Sequence, residues 1–180
     1  MGRKRKDAVS QSAKESAMET AAKYLASRMR TISEVEKHLQ AKGYDSEEIT
    51  GTVNDLIGMR YLDDYQYALR YYEYNREKHR GSARAARELA EKGVDAETIR
   101  YAREDFLYSG HVDEYTDALE VAEKEIGLMT RDRLTRSDKD EKSVTVFDDR
   151  LAAKIARKLD GKGYDRSDIF RVLDELRRKY

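Results

Sequence analysis

The sequence predicts an all-α protein, built as three tandem three-helix repeats of helix-turn-helix-like type that form an elongated curved array. Three observations predict it. A seven-residue phrase recurs as Leu39-Gln40-Ala41-Lys42-Gly43-Tyr44-Asp45, Leu89 to Asp95 and Leu159 to Asp165, each followed by Ile49, Ile99 or Ile169 and then by Leu56, Phe106 or Leu176. The chain of 180 residues has no proline, where average usage near 5% would give about nine. Charged residues make up 40% and hydrophobic ones 39%, the mix expected of helices with one buried stripe and wide solvated faces.

Each position of the phrase has a separate task. A glycine at the C′ position accepts the left-handed conformation that a Cβ resists. Counting back from Gly43 puts Leu39 at C3, and counting on puts Tyr44 at C″, the two residues whose side chains meet in a Schellman ending. Asp45 then caps the next helix, which makes Tyr44 and Ile49 the two ends of a hydrophobic staple. Gly93 with Asp95 and Gly163 with Asp165 repeat the arrangement. A tandem supersecondary unit implies a long binding surface rather than a single pocket.

The elements follow in order. Residues 1–14 open with Arg3-Lys4-Arg5-Lys6 and read as a flexible basic tail. The first repeat, 15–59, starts with a helix from Glu15 to Arg30 that turns Met18, Ala21, Ala22 and Leu25 to one side. Ser33 and Glu36 form a capping box for its second helix. Asp45 starts the third, with Ile49, Val53, Leu56 and Ile57 buried and Gly58 ending it. The second repeat, 60–110, begins at a turn where Asp63 and Asp64 are placed to cap a helix over about 65–80. Gly81-Ser82 breaks the chain, and a helix from Ala83 runs to Gly93. The third repeat, 111–180, aligns Tyr115, Ala118, Leu119 and Ala122 with the first helices of the others. Tyr115 to Gly163 spans 48 residues against 28 from Tyr65 to Gly93, so this repeat holds a polar insertion near 128–147, expected as a helix extension and a loop.

Six of the 13 tyrosines fall between Tyr61 and Tyr74. At 3.6 residues per turn, Tyr65 and Tyr72 share one face while Tyr67, Tyr71 and Tyr74 cover another. Core packing accounts for such a helix; a stacking platform for bases is the sharper alternative. Just beyond stand Arg76, Lys78, Arg80, Arg84 and Arg87, and the matching helix of the third repeat carries Arg150, Lys154, Arg157 and Lys158. These two basic sets are the candidate filament- or DNA-binding residues, able to face a phosphate backbone or an acidic protein groove. Arg103 stands where the other repeats hold Val53 and Leu173.

The 36 basic and 36 acidic residues cancel, so any contact with nucleic acid comes from local patches. Without cysteine there are no disulfides and no thiolate metal sites. His38, His79 and His111 are scattered with no partner spacing suited to a metal or a nucleophile, and no glycine-rich phosphate loop occurs. A non-enzymatic protein without cofactor or metal is expected. No apolar run approaches a membrane span and no signal-peptide core follows the basic start, so a cytoplasmic monomer is expected.

The order of motifs resembles the RecX family of regulators of the RecA recombinase. Arg28-Met29-Arg30-Thr31-Ile32-Ser33-Glu34-Val35, Leu39 to Gly43, Tyr61-Leu62-Asp63-Asp64 with Tyr67-Ala68, Gly81, Arg84, Glu88-Leu89, Lys92-Gly93 and Ile99 carry the likeness. It spans roughly 17–125, and 150–178 more loosely; tyrosines stand where the family would have phenylalanines, and the insertion is long. The resemblance implies a molecule that lodges in the groove of the RecA filament on single-stranded DNA. There it would modulate, usually depress, ATP hydrolysis, strand exchange and stimulated repressor cleavage, and so regulate DNA repair, homologous recombination and the SOS response. Two rivals are a winged-helix transcription regulator, which needs a β-wing that no alternating segment supplies, and a non-catalytic helical scaffold.

Overall fold

The structure is a computed structural model that describes residues 15–109, 112–136 and 147–180, apart from the side chains of residues 109 and 132–136. The expected basic tail, His111 and residues 137–146 of the expected insertion lie outside the described residues. Nine helices and no strand occur among the described residues. By contact the chain divides into two units, Met1–Leu62 and Asp63–Tyr180.

The first unit holds α1 (Ala17–Leu25), α2 (Ile32–Ala41) and α3 (Ser46–Gly58), packed around Ala21, Val35, Leu39, Tyr44, Val53, Leu56 and Leu62. Helix α1 is shorter than the periodicity suggested. The chain leaves it after Leu25 and brings the Arg30 guanidinium back over the Tyr24 ring, whose centroid also lies 4.0 Å from that of His38. The capping box of α2 is Thr31 with Glu34, two residues earlier than Ser33 with Glu36. That choice makes Ile32 the first helical residue, packs it against the core and buries Thr31 completely. Ala22 and Ile57, expected inside, are exposed.

The second unit holds α4 (Asp64–Glu77), α5 (Ser82–Glu91), α6 (Ala96–Ser109), α7 (Glu114–Arg136), α8 (Asp149–Lys162) and α9 (Arg166–Lys179). Two cores form here. Ala68, Tyr72, Ala85, Leu89, Val94, Ile99, Ala102 and Phe106 join α4 to α6. Ala118, Ala122, Ile126, Leu151, Ile155, Leu159, Val172 and Leu176 are among those joining α7 to α9. Helix α7 extends well past the length of α4, so the first part of the insertion is helical, and Phe147 returns to the core.

All three hinges end in the same hydrogen bonds. The Tyr44, Val94 and Tyr164 amides donate to Leu39, Leu89 and Leu159 carbonyls, and Gly43, Gly93 and Gly163 lie at φ of +82°, +83° and +84°. Those are the 6→1 bonds of Schellman endings, and they satisfy carbonyls that the helix cannot. The Asp45 carboxylate accepts from the Glu47 and Glu48 amides, and Asp95 accepts from Thr98. Asp165 occupies the cap position but makes no side-chain cap bond. At the start of α4, Asp63 alone is the cap, accepting from Gln66, while Asp64 is the first helical residue. Two further endings of this kind use residues other than glycine, Arg60 at φ +60° after α3 and His79 at φ +50° after α4.

Candidate nucleic-acid interface

Within the second unit, the corner between α4 and α5 meets the hinge after α8 backbone to backbone. The Gly81 amide donates to the Lys162 carbonyl at 3.0 Å. A Cβ on Gly81 would fall 2.1 Å from the Gly163 carbonyl oxygen, so that approach is open only to glycine.

This contact brings parts of both predicted basic sets together. The Lys162 ammonium donates to the His79 carbonyl at 3.0 Å, and Arg84 donates to the Gly161 carbonyl at 3.3 Å. Burial pushes the Lys162 amine below its ordinary value, and the nearby charges of Lys158, Arg80 and Arg84 push it further down, with Glu125 opposing. Four cations thus share one corner. Glu125 pairs with Lys158 at 3.2 Å, and Glu88 pairs with Arg84 at 2.8 Å. Two helix C-termini, those of α4 and α8, supply part of the negative potential that holds them. A cavity of about 180 Å³ opens beside them, lined by His79, Lys124, Leu128, Lys158 and Lys162 with Glu120 and Glu125.

The remaining predicted residues go elsewhere. Arg76 is turned away from the corner and forms a bidentate pair with Asp117, at 2.8 and 3.4 Å, tying α4 to α7. Lys78 lies over the Tyr74 ring at 5.6 Å. Arg87 lines a shallow depression with Arg84, Glu88 and Glu91. Arg150, Lys154 and Arg157 run along the exposed side of α8, where Arg157 donates to the Ala153 carbonyl. No described acid lies within ion-pair distance of Arg80, Arg87, Arg150 or Lys154.

Lys162 escaped the sequence reading as a site residue although it was visible as the lysine of the repeated Lys-Gly pair. Its cationic neighbours come from a different module, so spacing along the chain could not assemble them. Arg103 is the second case. Its Nε donates to Ser82 Oγ at 2.8 Å, and its guanidinium pairs with Asp165 and lies 3.8 Å from Glu114. Glu114 is buried and accepts from both the Ser82 amide and hydroxyl at 2.6 Å. Burial raises the Glu114 carboxyl above its ordinary value, while the Ser82 bonds and Arg103 pull it back. An arginine in a core register is therefore the centre of a polar weld between α4–α6 and α7–α9.

A larger groove of about 750 Å³ is lined by Leu69, Phe106 and Val112 together with Glu73, Arg76, Glu77, Asp105 and Asp117. It shares His79 and Glu120 with the cavity at the basic corner. No group of three or more His, Asp or Glu side chains among the described residues could hold a metal ion, and no described helix is long and apolar enough to cross a membrane.

Residues 17–56 match the family model described as RecX, first three-helix domain. Over 54 residues, 30% of this chain, the sequence is 41% identical to the regulatory protein RecX of Bacillus licheniformis. That match spans 20% of the relative's length. The fold is similar to the crystal structure of RecX from Lactobacillus salivarius, with a TM-score of 0.71 and 22% identity over 89% of this chain and 94% of that one. It is also similar to a crystal structure of regulatory protein RecX, with a TM-score of 0.64 and 23% identity over 88% of this chain and 70% of the other.

Proposed function

We propose that the chain is a RecX-type protein, a reading supported by the match of residues 17–56 and by the similar fold, and that it is a non-catalytic cytoplasmic regulator that binds the groove of the RecA–single-stranded DNA filament as a monomer. There it depresses RecA ATPase, strand exchange and coprotease activity, and so regulates recombinational repair and the SOS response. The observation that carries this reading is the corner of Arg80, Arg84, Lys158 and Lys162. Glu88 and Glu125 offset Arg84 and Lys158, and the charge that remains on Arg80 and Lys162 leaves the corner net positive, which suits a phosphate backbone. Arg87, Arg150, Lys154 and Arg157 extend the positive surface around the corner. Arg76 is engaged by Asp117 and contributes less.

The test is to add the protein to RecA filaments on single-stranded DNA and follow ATP turnover. Turnover falls in this reading, and Arg80→Glu with Lys158→Glu weakens filament binding by at least about tenfold at low salt, as expected for two lost phosphate contacts and their reversed charge. Arg84 is left intact because its Cβ packs on Gly163. Unchanged ATP turnover at saturating protein would sink the reading. Inhibition that persists unchanged in the charge-reversed protein would move the contact away from this corner.

A further inference from the structure

The tyrosines of α4 divide into two groups. Tyr72 is buried and donates to the Ile99 carbonyl at 3.3 Å, and Tyr65 donates to Asp105 at 2.7 Å. Tyr67, Tyr71 and Tyr74 form a ladder along another face, with ring centroids 6.0 Å apart at 13° between the first two and 6.3 Å apart at 40° between the last two. Tyr67 and Tyr71 lean on the module core, but Tyr74 is 49% exposed. Lysines flank the ladder, Lys92 5.8 Å above Tyr71 and Lys78 5.6 Å above Tyr74.

The ladder also connects to the basic corner through a chain of side-chain bonds: Tyr71 donates to Glu88 at 2.6 Å, Glu88 pairs with Arg84, and Arg84 reaches the Gly161 carbonyl. Glu88 has its charge covered by Tyr71 and Arg84, while Glu73 and Glu77 stand exposed on α4 beside Tyr74 and Lys78. Burial and the hydrogen bond to Glu88 push the Tyr71 phenol up to about 12.

We propose that this outer face of α4 binds single-stranded DNA directly, with Tyr74 as the ring on which a base stacks and Lys78, Arg80, Arg84 and Lys158 along the path of the phosphates. Aromatic rings interleaved with cations recognise single strands without regard to sequence, because every base offers a π-face. The proposal rests on the filament reading only for the choice of strand, and it places a direct DNA contact beside whatever the recombinase supplies.

The test uses the full chain without recombinase, so its failure is separate from any failure of inhibition. Binding of a short labelled oligothymidine is measured beside an abasic strand of the same length. The wild-type protein holds oligothymidine more tightly than the abasic strand. Tyr74→Ala weakens oligothymidine binding by at least about fivefold, the low end for one lost stacked base, and leaves abasic binding unchanged. Tyr74→Phe keeps the ring and the affinity, and Tyr108→Ala, removing a ring 88% exposed on α6, changes neither. A Tyr74→Ala protein that binds oligothymidine as the wild type does, or that loses both strands equally, overturns the proposal. So does a wild-type protein that fails to tell the two strands apart.

Discussion

Gly43 and Gly163 sit at the same point of the same turn, at φ of +82° and +84°, yet their surroundings differ completely. A methyl group added to Gly43 would meet nothing within 4 Å, while one on Gly163 would lie 2.2 Å from the Cβ of Arg84. The aspartates two residues on diverge in the same way. Asp45 closes a full capping box with Glu48, whereas Asp165 leaves its cap unmade and reaches Arg103. One hinge serves only its own module. The other gives up part of its local role to join two modules, which shows that a repeated phrase conserves backbone shape while each copy's side chains answer to what lies across from them.

The widest separation between the two hinges comes from glycine itself. Gly43→Ala forces only the left-handed backbone on a residue with a Cβ and costs about 1–2 kcal/mol. Gly163→Ala adds overpacking against Arg84 and costs about 3 kcal/mol or more. Urea unfolding of the two variants measures the difference, and equal losses would show that the Gly163 approach relaxes freely. Gly81→Ala, which meets the Gly163 carbonyl, belongs with the larger class.

That contrast marks the limit of what the sequence disclosed. Gly43, Gly93 and Gly163, with their flanking leucines and aspartates, were legible because a Schellman ending and a cap use neighbours within a few residues. The endings at Arg60 and His79 were not, since neither residue advertises a left-handed φ. Two overlapping capping boxes were written between Thr31 and Glu36, and only the packing of Ile32 decided between them. At the candidate site the basic residues were visible, but their sorting was not. Arg76 pairs with Asp117 across 41 positions and Arg103 with Asp165 across 62. Such partners are set by tertiary contact, which hydrophobic period does not encode.

Arg103 gives the next effect in size. Arg103→Leu restores the apolar residue that Val53 and Leu173 represent in the other modules, yet it leaves the buried Glu114 charge with Ser82 alone. Because Arg103 is 29% exposed, the loss is discounted from that of a fully buried pair to about 2 kcal/mol. Adding Glu114→Gln recovers part of it, since the amide accepts the Ser82 N–H without a charge to bury. A double-mutant cycle on thermal or urea unfolding reads this coupling. Additive losses would mean that Arg103 stabilises through packing rather than through Glu114.

Of the caps, Asp45→Ala removes bonds to two amides and costs about 1 kcal/mol. Asp165→Ala removes no cap bond and one partly exposed ion pair, costing about 0.5 kcal/mol. A reversed order in urea midpoints would put the weight of the third hinge on its cap after all.

The smallest effect is a pH slope, and it has opposite signs at the two kinds of group. Asp95 is held below its ordinary 3.8 by Thr98, first through the side-chain hydrogen bond and then through the backbone one. Its contribution is present above that value and is lost as pH falls through the lower folded pKa. Glu114 is raised above its ordinary 4.5 by burial, so between that value and its folded pKa the folded protein holds the extra proton. Its contribution is complete below 4.5 and is lost as pH rises through the folded pKa. Glu114→Gln therefore flattens the fall in urea midpoint on going upward from about pH 4.5, while Asp168, also raised by burial, leaves a residual slope of the same sign. A wild-type midpoint that climbs across this window, with Glu114→Gln climbing less, would show that the Ser82 bonds and Arg103 outweigh burial and that the weld is held by a carboxylate lower than its free value.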